Sequence, residues 1–346
     1  MKISMLTFFK AINYGTFLQA YALQQTLLQL GYDVEVINYN AMSELAQNDL
    51  KNAAIGYLRH PIIACHKLLK KLRFDRAHRA LRLTKPMSGS EVRSQPFEHV
   101  LIGSDEVWKV SHPAINDISL FFGKDLAAVQ LSSYAASVGS DTDFENVPFD
   151  IAALLSRFNH LSVRDDNTKK MVAKFLGKEV PIHLDPTFLY EFNSETAPVK
   201  HRNFILIYSK TITEQPIINE IKSYGERLNK KIIAVGPIQP WADQNIHNAG
   251  PFEFLSMLKA ADGVITSLHH GVVFAIHYNK PFCVLMNELI KNKVTPILNW
   301  LNLPNVYNQS GDIMFSLEKN VNWQQINSLV NKVREASIEY LRGLAS

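Results

Sequence analysis

The sequence predicts an α/β protein with parallel sheets in two domains. Three observations predict it. The chain opens on a strand–helix–strand unit, and strands joined by a crossover helix run parallel. The same alternation resumes at residue 204 and includes the compact unit 264–285, which reads strand, turn, helix, turn, strand. Between the two runs, residues 191–202 lose all hydrophobic periodicity, and the linker is placed there. The domains are then expected at 1–192 and 200–320, with 321–346 as a terminal helix that can reach back to the first domain.

Composition narrows the class. The chain has 346 residues, enough for two domains of ordinary size, with 47% apolar and 20% charged residues. A net charge of +4 is too small to argue for nucleic acid. Cys65 and Cys283 lie far apart and in no metal-binding spacing, which fits a reducing compartment. The first ten residues hold too short an apolar run for a signal peptide and read as a strand. No stretch is long enough for a membrane span, so a cytoplasmic protein is expected.

In order, Ile3 to Phe8 is strand one. A loop ending in Asn13-Tyr14-Gly15 opens a helix whose stripe is Leu23, Leu27 and Leu30, with Gly31 as its stop. Residues 33–38 are strand two. Asn13 and Gly15 at the helix entrance suit a tight turn or a ligand facing backbone N–H groups. Residues 41–85 are expected to be helical and basic. Arg59, Lys67, Lys70, Lys71, Arg73, Arg76, Arg79, Arg82 and Lys85 face only Asp75, and Ile62, Ile63, Leu68, Leu69, Leu72 and Leu81 form an apolar side. That pattern is a solvated face or a basic amphipathic segment for anionic headgroups, a possible peripheral contact through 59–85 at the inner face of a membrane.

Strand 100–102 ends in Gly103-Ser104-Asp105-Glu106-Val107-Trp108. A carboxylate accepts from sugar hydroxyls and an aromatic stacks on a sugar ring, so Ser104, Asp105, Glu106 and Trp108 are acceptor candidates. Strand 131–134 runs into a small-residue loop with Ser137. A helix is expected at 151–158. Strand 160–163 delivers Arg164, either as a fork for phosphate or carboxylate or as a partner of Asp165 or Asp166. A helix follows over 168–176, and residues 181–188 form the last strand of this half.

The second half places strands at 204–208 and 232–235 and helices at 216–228 and 251–260. In 264–285, His269 and His270 fall where a strand hands over to a helix, at a carboxyl end and a helix N-terminus together. Helices near 296–301 and over 322–344 complete the chain.

These stretches resemble the polysaccharide pyruvyl transferases. The resemblance rests on Asn13 to Gln24, Ile102 to Trp108, Tyr134 to Gly139, Leu161 to Asp165, Leu184 to Leu189, Pro251 to Leu255 and His270 to Phe274, in that order along the chain. It implies two Rossmann-like domains in the B-type glycosyltransferase arrangement. It also implies phosphoenolpyruvate as donor, a sugar or lipid-linked oligosaccharide of a cell-surface or exopolysaccharide as acceptor, a pyruvate ketal as product, and no metal or cofactor. It matches Arg164 to the family's donor-binding arginine and His270 to its histidine before a small residue. Ser267, His270 and Gly271 join Arg164 as donor candidates. His270, Asp105 and Glu106 are the catalytic candidates, the two carboxylates being able to orient or deprotonate acceptor hydroxyls. Asn13, Tyr14, Gly15, Ser104, Trp108, Ser137 and His269 remain acceptor or loop candidates. The chain departs from the family pattern at Leu268, where studied members carry arginine, and at Glu106 and Lys109, where many carry glutamine and asparagine. Two other classes stay open: a nucleotide-sugar glycosyltransferase of the same architecture, with Glu253 as its ribose-binding acid, and a non-catalytic carbohydrate-binding protein of polysaccharide assembly.

Overall fold

Near-continuous apolar runs such as Ile3-Ser4-Met5-Leu6 and Phe204-Ile-Leu-Ile-Tyr208 cannot alternate inside and outside, so both their faces must be covered. They become central strands of two parallel sheets. The computed structural model describes residues 1–39, 61–112, 115, 117–303 and 305–345. It divides into two units. The first comprises Met1–Ala64, His78–Glu191 and Val330–Ser346; the second comprises Cys65–Ala77 and Phe192–Leu329.

In the first unit, β1 (Lys2–Leu6) leads to α1 (Tyr14–Gln29) and β2 (Asp33–Val36). Asn13 caps α1 by accepting from the Thr16 N–H at 3.3 Å. Gly31, at φ +89°, turns the chain into β2. After α2 (Pro61–His78) and α3 (Gly89–Ser94) come β3 (Phe97–Ile102) and β4 (Ala128–Ser133). The sheet order is β2-β1-β3-β4, all parallel, with Ile3 opposite both Val34 and His99. Helices α4 (Ile151–Leu155) and α5 (Asp166–Leu176) follow.

Two expectations fail here, each for a visible reason. Residues 79–85 are not helical. The Gln24 amide donates to the Arg82 carbonyl and accepts from its N–H, both at 2.9 Å, so neither backbone group of Arg82 can join a helix. Leu83 instead bridges to Val36. Residues 40–60 lie outside the described residues. The stretches 160–163 and 181–188 are not regular strands but isolated parallel bridges, Ser132 to His160, Ala136 to Val163 and Val163 to Ile182. Backbone bonds such as Val163 N–H to the Pro181 carbonyl (3.0 Å) persist there, and serine hydroxyls add to them: Ser133 Oγ donates to the Ser162 carbonyl (2.9 Å) and Ser162 Oγ to the Ser133 carbonyl (3.1 Å).

The second unit holds β5 (Phe204–Tyr208), α6 (Gln215–Arg227), β6 (Lys231–Val235), β7 (Gln244–Ile246), α7 (Pro251–Ala260), β8 (Gly263–Thr266), α8 (His269–His277) and β9 (Phe282–Val284). The order is β7-β6-β5-β8-β9, again all parallel. Beyond it lie α9 (Glu288–Trp300), α10 (Asp312–Glu318) and α11 (Trp323–Arg342). Pro296 does not open a helix as expected but sits inside α9. Buried Ile290, Val294, Leu298 and Leu301, at helical spacing, carry the helix past the proline. No described helix is long and apolar enough to cross a membrane.

From Val330 onward, α11 belongs to the first unit. Tyr340 donates to the Ser133 carbonyl at 2.7 Å, and Ser337 Oγ accepts from the Leu184 N–H at 3.2 Å. Tyr340 also packs on His183, centroids 4.7 Å apart, and Tyr134 stacks on the same ring at 6.0 Å. Burial lowers the His183 pKa to about 4, and burial with the neighbouring His160 lowers that of His99 to about 4 as well. Both are therefore neutral in the fold, while the unfolded chain takes up protons near pH 6.5. Stability is then full above that pH and is lost as pH falls toward 4. Thermal melts between pH 7.5 and 5 should show a falling Tm, and the fall should be shallower in His183→Phe; a pH-independent Tm would contradict this.

Candidate active site

Each sheet has one point where the strand order reverses, between β1 and β3 in the first unit and between β5 and β8 in the second. Open parallel sheets bind ligands at the carboxyl ends of the strands flanking such a point. The sequence-predicted residues gather at these two places.

In the first unit, Thr7, just past β1, donates to the Ser104 carbonyl at 2.9 Å. The next residue, Asp105, has φ +81°. A left-handed aspartate is tolerated where its side chain bonds locally, and here Asp105 Oδ1 accepts from the Glu106 N–H at 2.9 Å. Its other oxygen accepts from Thr16 Oγ1, in the first turn of α1, at 3.2 Å.

Arg164 closes this set. Its side chain is only 7% exposed, and its Nη1 lies 3.1 Å from Asp185 and 3.9 Å from Asp105. The sequence offered Asp165 or Asp166 as its partner; the structure gives Asp185 and Asp105. Asp165 is otherwise engaged, because it caps α5 through the Thr168 N–H (2.8 Å) and accepts from Ser137 Oγ (2.6 Å). Burial pulls the Arg164 pKa down, but the surrounding carboxylates, Asp185 foremost, outweigh burial and hold it above the ordinary value. Arg164 is a fixed cation. Among the described residues no hydrogen bond is made by its Nε or Nη2.

Trp108 corrects an expectation. It is fully buried, its indole N–H donates to the Phe121 carbonyl at 2.8 Å, and it stacks on Phe122. It cannot stack on a sugar; it anchors the loop from inside. Ser104 is also buried and donates to the Ala135 carbonyl at 3.1 Å. Tyr14 and Gly15 are buried within α1. Glu106 and Lys109, two of the departures from the family pattern, lie 3.8 Å apart as an ion pair. A Cβ at Gly139 would sit 2.6 Å from the Glu106 carboxylate, so glycine there leaves room for the acid.

In the second unit, Ser267 Oγ accepts from Ser209 Oγ at 2.8 Å and from the Lys210 N–H at 3.0 Å, tying the ends of β5 and β8 together. Asn287 donates to the Ser267 carbonyl at 3.2 Å. Leu268 is the extended N-cap residue of α8, with no side-chain cap, and its N–H goes to Thr266 Oγ1 at 3.1 Å. His269 and His270 form the first turn of α8, half-buried, with centroids 5.0 Å apart. Gly271 is there for packing. A Cβ on it would lie 2.1 Å from Thr266 Oγ1, and its N–H is used within the turn by the Leu268 carbonyl at 3.0 Å. Glu253 is occupied by Arg73, whose Nη1 lies 2.6 Å away.

The model of the family described as polysaccharide pyruvyl transferase matches residues 13–288. The chain belongs to this family. No curated protein matches the sequence. The fold of this pyruvyl transferase family member is similar to that of the UDP-GlcNAc 2-epimerase of Methanocaldococcus jannaschii in complex with UDP-GlcNAc and UDP. That likeness has 12% identity and a TM-score of 0.50, covering 97% of this chain and 100% of the other. A putative UDP-N-acetylglucosamine 2-epimerase of Listeria monocytogenes gives 12% identity and a TM-score of 0.51, covering 99% and 90%. The glycosyltransferase SnogD of Streptomyces nogalater gives 11% and 0.49, covering 100% and 98%. The fold class is that of two Rossmann-like domains with parallel sheets, as in these epimerases.

Sequence reasoning overlooked Thr16 and the pairing role of Asp185. The signal for Asp185 lay in Asp185-Pro-Thr187, a cap that accepts from the Thr187 N–H at 3.1 Å and leaves its other oxygen for Arg164. Gly271→Ala in this pyruvyl transferase family member should cost roughly 1–3 kcal/mol, the usual range for overpacking. Chemical denaturation measures it, and an unchanged midpoint would mean that α8 moves away from β8 freely.

Proposed function

We propose that the protein transfers the pyruvyl group of phosphoenolpyruvate to a sugar of a cell-surface or exopolysaccharide, or its precursor, forming a pyruvate ketal. The observation that carries this reading is the state of Arg164. A buried guanidinium held by two carboxylates through Nη1 alone keeps Nε and Nη2 in a fixed plane, the geometry that takes a carboxylate bidentately. Phosphoenolpyruvate carries such a group. Family membership supports the same donor.

The reaction balances without a cofactor. A proton adds to the methylene carbon of the donor, so that C2 becomes electrophilic. One acceptor hydroxyl attacks C2 and the C2–O bond to phosphate breaks. A second hydroxyl closes the ketal. Of the two hydroxyl protons, one replaces that given to the methyl group and the other leaves on hydrogen phosphate. His270, at the start of α8, is assigned the proton donor's role, and the helix N-terminus favours the phosphate. Asp105, with one oxygen on Thr16 and the other 3.9 Å from Arg164, is assigned to orient or deprotonate acceptor hydroxyls. Glu106, paired with Lys109, is the weaker candidate for that task.

The nucleotide-sugar glycosyltransferase reading has less support, because Glu253, its proposed ribose acid, is paired with Arg73.

Phosphate release from phosphoenolpyruvate in the presence of candidate sugar acceptors tests the reading. His270→Ala should lower turnover by roughly 10²–10⁴, as for a lost general acid. Arg164→Lys, which keeps the charge but not the fork, should raise KM for phosphoenolpyruvate at least about tenfold with a smaller change in kcat. Wild-type turnover in both variants would refute the two assignments. Arg164→Ala should instead destabilise the fold by about 3–5 kcal/mol, because the buried Asp185 carboxylate loses the guanidinium paired with it at 3.1 Å.

A further inference from the structure

The stretch 59–85 holds nine of the 36 basic residues and, in Asp75, one of the 32 acidic ones. The rest of the chain therefore has 27 basic against 31 acidic residues and is net negative. The protein's excess positive charge comes from this one stretch, and its described helical part is α2.

The inner face of α2 is fixed on the second unit. Phe74 and Ala77 are buried, Arg73 pairs with Glu253 and donates to the Asn248 carbonyl at 3.1 Å, and His66 packs on His247 with centroids 4.0 Å apart. A Cβ at Gly250 would lie 3.2 Å from that of Arg73, so glycine allows the close approach. The outer face cannot turn inward without undoing these contacts. It carries leucines: Leu68 is 59% exposed, Leu72 54% and Leu69 38%. Leu68 and Leu72 lie four residues apart, on one side of the helix. Exposed Lys71 flanks them, pairing with Asp75, and exposed Arg76 continues the stripe one turn on.

We propose that this face of α2 docks on a bilayer surface rich in anionic phospholipid. Leu68, Leu69 and Leu72 enter the headgroup boundary, and exposed Lys71, Arg76 and Arg79 meet the lipid phosphates. Charge complementarity selects this occupant. A second copy of the chain would bring the same concentrated positive charge against itself, whereas an anionic surface neutralises it. Apolar insertion together with basic charge is the two-part signal that gives reversible attachment. The proposal does not rest on the transferase reading, since binding is read without any substrate.

The test is flotation of the full-length protein with vesicles of phosphatidylcholine containing about 30% phosphatidylglycerol, beside vesicles of phosphatidylcholine alone. Binding should require phosphatidylglycerol and should fall at least about tenfold between roughly 50 and 500 mM salt. The double variant Leu68→Glu, Leu72→Glu should lose binding at least about tenfold, with its thermal melt unchanged because both positions are exposed. Absence of binding to the anionic vesicles at low salt overturns the proposal. So does binding that the double variant retains, or a dimer in solution that the double variant converts to monomer.

Discussion

A single buried cation organises the carboxyl edge of the first unit. Arg164 sits among Asp185, Asp105, Asp165 and Glu106, and without it these carboxylates would repel one another in a poorly hydrated place. With it they are held in different jobs. Asp185 caps the turn at Pro186–Phe188 and pairs with Nη1. Asp165 caps α5 and holds Ser137. Asp105 reaches Thr16 at the entrance of α1. One guanidinium thereby links the loops after β1, β3 and β4 with two segments that are not strands at all.

That dependence explains why the site is built mostly from side-chain bonds. Past β4 the sheet does not continue as a regular ladder; the Ser133–Ser162 hydroxyl exchange and isolated bridges replace it. Such a region keeps backbone bonds at its isolated bridges and gains further rigidity from polar side-chain networks, which are strong when every member is satisfied. The second unit solves the same problem differently. There the strand ends are tied by Ser209 and Ser267, and α8 is drawn against β8 by the missing side chain of Gly271.

Much of the fold was legible because long parallel strands leave an apolar run and crossover helices leave a stripe. Strand Phe204–Tyr208 and helix Pro251–Ala260 fall where their patterns place them. What escaped depends on contacts distant in sequence. Nothing near Arg82 announces that Gln24, far upstream, will take both its backbone groups. Trp108 beside two acids has the composition of a sugar site, yet its indole is consumed by Phe121 and Phe122. The site was legible as residue types at strand ends, Asp105, Arg164 and His270. Their partners were not, because Thr16 and Asp185 reach the cluster only through the folded sheet.

The central claim is that Arg164 and its carboxylates prepare a place for phosphoenolpyruvate. Isothermal titration of the protein with phosphoenolpyruvate and, separately, with UDP tests it most directly. Saturable heat with phosphoenolpyruvate that is lost in Arg164→Lys, with none for UDP, is the predicted result. Saturable heat for UDP alone would contradict it.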